Sequence, residues 1–139
     1  AGTDDAPQVA QAYEKRGFRA KVEPFIEDMV ARYRESNLVV CRAGATTIAE
    51  LTTSGRASIL IPYPFAADNH QEINARNLAR RGAAKVILDR DLSGERLAAL
   101  ISSLFNNPRE IEAMEKASTS LGKPEAAKRV VDECYRMMV

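Results

Sequence analysis

Between residues 37 and 51 the chain reads NLVVCRAGATTIAEL, an apolar run that ends on an arginine and a glycine and passes at once into two threonines and a helical pattern. A strand, a tight turn and a helix start packed this closely commit the chain to α/β construction. The first N–H groups of such a helix lack intrahelical partners and stand at the positive end of its dipole, so Ala45, Thr46 and Thr47 offer backbone and hydroxyl donors to a phosphate beside Gly44. Glu50 follows the two threonines by one helical turn and shares their face. Phosphate donors and a carboxylate on one face suit a nucleotide, with the diphosphate at the helix end and the carboxylate accepting from ribose hydroxyls. The same residues also serve simply to close a turn and start a helix, with no ligand.

The rest of the chain repeats the alternation. A first helix is expected up to Gly17, with Val9, Ala10 and Tyr13 on one face, followed by a strand over residues 18–22. Residues 27–34 have helical spacing that buries Ile26, Met29, Val30 and Tyr33, after a junction containing Pro24, Phe25 and Ile26. Phe25 and Ile26 either pack in the core or wall a flat aromatic ligand at the end of the preceding strand. Residues 57–61 form a continuous apolar strand of the kind found inside a parallel sheet. A proline-containing loop, 62–67, then leads to a helix with Asp68 as its expected N-cap. That helix opens on Asn69, His70, Gln71 and Glu72, a dense group of hydrogen-bonding side chains; the alternative for Gln71 and Asn74 is a solvated face, and for His70 a surface or capping role. Ile73, Leu78 and Ala79 continue the helix to Gly82. A fourth strand is expected over 84–88, then a helix from Ser93 with Leu97, Leu100, Ile101 and Leu104 as its buried stripe. Asn106-Asn107-Pro108 ends it, another helix covers 111–117, and a last one covers 124–138 with Ala127, Val130, Val131 and Cys134 on one side. The expected fold is a Rossmann-like parallel sheet with flanking helices, whose ligands lie outside the carboxyl ends of the strands.

Composition narrows the function classes. Twenty basic against nineteen acidic residues give a net charge of +1, which offers no bulk attraction to nucleic acid or to a membrane surface. No apolar run approaches the roughly 20 residues that span a bilayer. Cys41 and Cys134 lie far apart, without metal or CxxC spacing, and read as buried or half-buried thiols of a reducing compartment.

Four ordered motifs carry a family resemblance: VEPFIEDM from Val22, CRAGATTIAEL from Cys41, IPYPFAADNHQEINA from Ile61, and GAAKVI from Gly82. Together they resemble the carboxyl-terminal domain of the MurG family, bacterial glycosyltransferases of GT-B architecture. Members move N-acetylglucosamine from UDP-GlcNAc to the lipid-linked muramyl-pentapeptide, lipid I, giving lipid II of peptidoglycan synthesis. The resemblance implies that Phe25 and Ile26 hold the uracil, Ile26 through its backbone, with Met29 nearby. It implies that Gly44, Ala45, Thr46 and Thr47 face the diphosphate and that Glu50 binds the ribose. His70 and Gln71 fall on a pair that contacts the sugar, Gln71 the firmer of the two. Arg42 matches an arginine beside the turn that either touches ligand or props the loop.

The resemblance also implies what lies elsewhere. Family members have a second, amino-terminal domain that binds the acceptor, carries the general base and associates with the membrane, and their donor domain opens on a strand and a glycine-rich loop. None of these is found here, so residues 1–139 are expected to be a partial UDP-GlcNAc-binding domain, inactive alone and containing no catalytic residue. The parent protein would be cytoplasmic, peripheral on the inner face of the bacterial inner membrane. Neither cofactor nor metal is expected, since the implied reaction proceeds without an Asp-x-Asp-held ion. The alternative is a non-catalytic donor-binding subunit that complements a separate acceptor-domain chain. A missing neighbouring strand would expose a sheet edge and invite self-association.

Overall fold

The computed structural model of the chain describes residues 2–138. It resolves into two compact units, Ala1–Arg32 and Tyr33–Val139.

In the first unit, α1 (Ala6–Lys15) carries Pro7 in its first turn and ends where Gly17 takes φ +70°. The expected strand over 18–22 does not form: those residues have no regular structure, and Phe18 is 65% exposed. Five alternating residues are too few to specify a strand when no sheet edge pairs with them. Helix α2 (Met29–Glu35) begins after Asp28, whose Oδ1 accepts from the Ala31 N–H at 2.9 Å and so satisfies an orphan donor of the first turn. Lys21 and Glu23 form an ion pair at 3.0 Å in the loop between the two helices.

The second unit holds the sheet. Strands β1 (Val39–Cys41), β2 (Ser58–Leu60) and β3 (Ala84–Val86) pair in parallel in the order β1-β2-β3, with Val39 opposite Ser58 and Ser58 opposite Ala84. Among the described residues three strands stand where four were expected, because the segment before Phe25 is not one. Helix α3 (Ala45–Thr53) connects β1 to β2, and α4 (His70–Arg80) connects β2 to β3. Helices α5 (Gly94–Phe105) and α6 (Pro108–Leu121) follow, then α7 (Ala126–Met137). Ser93 caps α5 by accepting from the Arg96 N–H at 3.1 Å.

The central strand explains the layering. Ala57, Ile59 and Ile61 point to one face and pack with Ile87, Leu104 and Met114, while Leu97, Leu100, Ile101 and Ile111 close the rim of that cluster. By strand alternation Ser58 and Leu60, both fully buried, face the other way. Helix α6 is tied to α3 by the Ser118 hydroxyl, which donates to the Leu51 carbonyl at 3.3 Å. Gly55, at φ +63°, sits where any other residue would be strained, and a Cβ there would stand 2.4 Å from Thr119 Oγ1, forcing that hydroxyl to move.

Two expectations about burial need correction. Cys134, expected to be buried or half-buried, is exposed: helix α7 has no buried residue, and Val130, Val131 and Tyr135 are exposed with it. On α2 Tyr33 is buried as expected but Val30 is 54% exposed; on α4 the buried residues are Ala75 and Leu78.

Candidate functional site

Strand β1 delivers the chain to the turn Arg42-Ala43-Gly44, from which α3 starts at Ala45. Gly44 is the N-cap, at φ −64° and ψ 151°, and no side chain caps the helix. Those angles are open to any residue, and a Cβ at Gly44 would meet only Thr47 Oγ1, at 3.8 Å. Turn closure therefore does not require glycine here. What glycine provides is free space directly over the N–H groups of the first helical turn, the arrangement that lets an anion approach a backbone. Ala45 and Thr46 are exposed and Thr47 is half-buried.

Glu50 stands one turn further along α3, half-buried, and its Oε2 accepts from the Tyr33 hydroxyl at 3.0 Å. Burial first, then the hydrogen bond to Glu50, push the Tyr33 phenol far above its ordinary pKa. The phenol is thus a permanent donor, holding one carboxylate oxygen and leaving the other to a ligand. Sequence reading placed Tyr33 among the core residues and missed this contact. The available signal was that a buried tyrosine hydroxyl needs a partner.

At the carboxyl end of the sheet, side chains intercept the backbone ladder. Val39 N–H bonds to Ala57 O, and Ile61 N–H bonds to Cys41 O at 2.9 Å; in parallel register the next bond would join Ala43 N–H to Ile61 O. Instead, the Arg42 guanidinium donates to the Ile61 and Pro62 carbonyls, both at 3.2 Å, and to Asp89 Oδ1 at 2.6 Å. It also lies 5.6 Å from the centroid of the Tyr63 ring. Arg42 is therefore a prop that joins the ends of all three strands. The freed Ala43 N–H donates to Gln71 Oε1 at 3.1 Å, and the Tyr63 N–H donates to the same oxygen at 3.0 Å. Asn74 Nδ2 completes the contact by donating to Ala43 O at 3.3 Å. Gln71 and Asn74 do not form a solvated face; they grip the turn.

The helix they belong to starts differently from the expectation. Asp68 is not its N-cap: Ala67–Asn69 form a 3-10 turn in which Asp68 and Asn69 take φ +49° and +54°, and Asn69 precedes α4 without a capping side-chain bond. His70 is exposed, and its Nδ1 donates to Ala67 O at 2.6 Å, the local capping role that a lone histidine at a helix start commonly fills.

Phe25, Ile26 and Met29 lie in the first unit. Phe25 is 78% exposed, which removes core packing as its role, while Ile26 and Met29 are half-buried. With no strand over 18–22, Phe25 does not follow a strand's carboxyl end.

Asp89 and Asp91 stand at Asp-x-Asp spacing, but Asp89 is bound by Arg42, and no cluster of three or more His, Cys, Asp or Glu residues able to hold a metal occurs among the described residues. Nor is any helix among them long and apolar enough to cross a membrane.

The model of the glycosyltransferase family 28 C-terminal domain matches residues 1–130. The chain belongs to this family. Glycosyltransferase family 28 relatives match it closely along nearly its whole length. A protein of Myxococcus xanthus (strain DK1622) is 48% identical over 138 residues, which are 99% of this chain and 36% of the relative. One of Thermodesulfovibrio yellowstonii is 52% identical over 131 residues, 94% of this chain and 36% of the relative. Both are named UDP-N-acetylglucosamine--N-acetylmuramyl-(pentapeptide) pyrophosphoryl-undecaprenol N-acetylglucosamine transferase. The crystal structure of Acinetobacter baumannii MurG superposes with a TM-score of 0.89 at 34% identity, covering 98% of this chain and 40% of that one. The family 28 chain thus spans little more than a third of the length of its relatives, and its Rossmann-like α/β fold is theirs over that span.

Proposed function

We propose that this chain is the donor-binding part of an inverting glycosyltransferase that moves N-acetylglucosamine from UDP-GlcNAc to the lipid-linked muramyl-pentapeptide. The observation that carries the proposal is the turn at Gly44: an uncapped helix start with open space above it, one turn before a carboxylate oriented by a buried phenol. The printed names of the relatives supply the sugar and the acceptor.

In this reading the diphosphate lies on the N–H groups of Ala45, Thr46 and Thr47, and Glu50 accepts from the ribose hydroxyls; for Phe25, Ile26 and Met29, in the first unit, the family resemblance supports the uracil role. Gln71, its oxygen engaged, has only its NH2 group to offer the sugar, beside His70. When the acceptor hydroxyl attacks the anomeric carbon, a new C–O bond forms as the bond to the diphosphate breaks, and the electron pair leaves with UDP. The acceptor proton passes to a base not assigned to any residue here. The helix start favours the step by stabilising negative charge as it develops on the leaving group. The complete protein would act peripherally at the cytoplasmic face of the membrane, where its lipid-linked acceptor is held. The edges of β1 and β3, the two outer strands, are the surfaces proposed for self-association.

Thermal unfolding with and without nucleotide tests the donor assignment. UDP and UDP-GlcNAc should raise the melting temperature with concentration, and ADP should not. Equal shifts with ADP and UDP would leave phosphate binding but remove the uridine assignment.

A further inference from the structure

We infer that Gln71 and Asn74 are positioning residues for the nucleotide's diphosphate, acting through the Ala43 peptide rather than by touching the phosphates. The inference rests on the donor reading above but assigns these side chains a task separate from any contact with the sugar.

Ala43 is fully buried and immediately precedes the Gly44 cap. Its N–H has left the β1–β2 ladder, whose next acceptor, Ile61 O, is taken by Arg42. The direction of this turn is therefore not fixed by the sheet. It is fixed by α4, where Gln71 and Asn74, three residues apart on one helix face, hold the two polar groups flanking the Ala43 residue: its N–H at 3.1 Å and its C=O at 3.3 Å. Gln71 Oε1 simultaneously holds the Tyr63 N–H at 3.0 Å, which locks the loop after β2 to the same point. Two N–H donors on one atom also settle which end of the amide faces the turn, since only oxygen can accept both. The N–H groups of Ala45 to Thr47 thus owe their aim to a helix that lies beyond the next strand.

Amide exchange and UDP titration on the 139-residue chain and its variants test this. In Gln71→Met, the Ala43 and Tyr63 amides should exchange at least about tenfold faster, and UDP affinity should fall by roughly tenfold, the scale of one buried group left unpaired. Uridine, having no phosphate, should bind as before. Gln71→Glu keeps an acceptor and should restore slow exchange of both amides, a rescue that does not depend on nucleotide binding. Asn74→Leu should weaken UDP less and leave the Tyr63 amide protected. Protected Ala43 and Tyr63 amides in Gln71→Met, or loosened amides with unchanged UDP affinity, would overturn the inference. If the unaltered chain binds no UDP, the donor reading fails instead, and the exchange results still decide whether the pair holds the turn.

Discussion

The Tyr33 hydroxyl donates to Glu50 Oε2 at 3.0 Å, joining the second turn of α3 to a tyrosine seventeen residues earlier in the chain. A carboxylate held in this way has one oxygen committed and the other aimed, which is how a hydrogen-bonding side chain is prepared for a ligand without paying for its immobilisation at binding. Tyr33→Phe removes the hydroxyl and retains the ring. The expected result is a loss of UDP affinity of about threefold to tenfold with the fold intact, on the scale of one hydrogen bond to a charged group; calorimetry reads it. Because the phenol stays protonated well past its ordinary range, the Tyr33 ring itself should show no phenolate signal at the usual tyrosine pKa.

Gly44 separates local conformation from ligand space. Its angles suit alanine and its surroundings admit a Cβ, so Gly44→Ala should leave the melting temperature within a degree or so. The added methyl group would occupy the path to the helix N–H groups, and UDP affinity should drop by about tenfold or more. An alanine variant that binds UDP normally would mean that the phosphates approach from elsewhere.

The Arg42 prop has two kinds of partner, and their worth differs. The Arg42–Asp89 ion pair is partly exposed, with side chains 48% and 35% accessible, so Asp89→Asn should cost under about 1 kcal/mol of stability. Arg42→Ala also leaves the buried Ile61 carbonyl without its donor and should cost about 2 kcal/mol. Denaturant unfolding of the two variants and the double variant gives the order; equal costs would place the prop's strength in the ion pair instead.

The two thiols should behave oppositely. Burial pushes Cys41 up to about 11, whereas Cys134 is exposed on α7. At pH 8 iodoacetamide should label Cys134 quickly and Cys41 only slowly, since the thiolate is the nucleophile. The raised pKa also sets a sign. Between about pH 9 and 11 the unfolded chain releases the Cys41 proton and the folded chain keeps it, so this thiol lowers stability as pH rises through that window. Mass spectrometry of the labelled chain checks the first point and unfolding at pH 8 and 10.5 the second.

What could be read from the sequence was local. The apolar run before Arg42, the glycine, and the helical spacing after it place β1, the turn and α3 correctly, because a strand ending in a helix start is encoded by neighbouring residues. Serine before α5 did the same for that helix, whereas Pro108, read only as the end of α5, opens α6 three residues before the expected start at 111. Contacts closed by the fold were not legible. Gln71 meets Ala43 across 28 residues and Arg42 meets Asp89 across 47, and nothing in the local pattern of either distinguishes a grip on backbone from a solvated side chain. The strand expected over 18–22 failed for the complementary reason, since alternation states which face would be buried but not whether a partner strand exists. Likewise the stripe on α7 has helical spacing, yet none of its residues is buried.

Titration of the chain with UDP by calorimetry, alongside Glu50→Ala, tests the central assignment most directly. The account predicts binding by the unaltered chain and a loss of at least about tenfold in the variant, while circular dichroism shows the fold retained. Equal UDP affinity in the two proteins would contradict it, because a carboxylate that can be removed without effect does not hold the ribose.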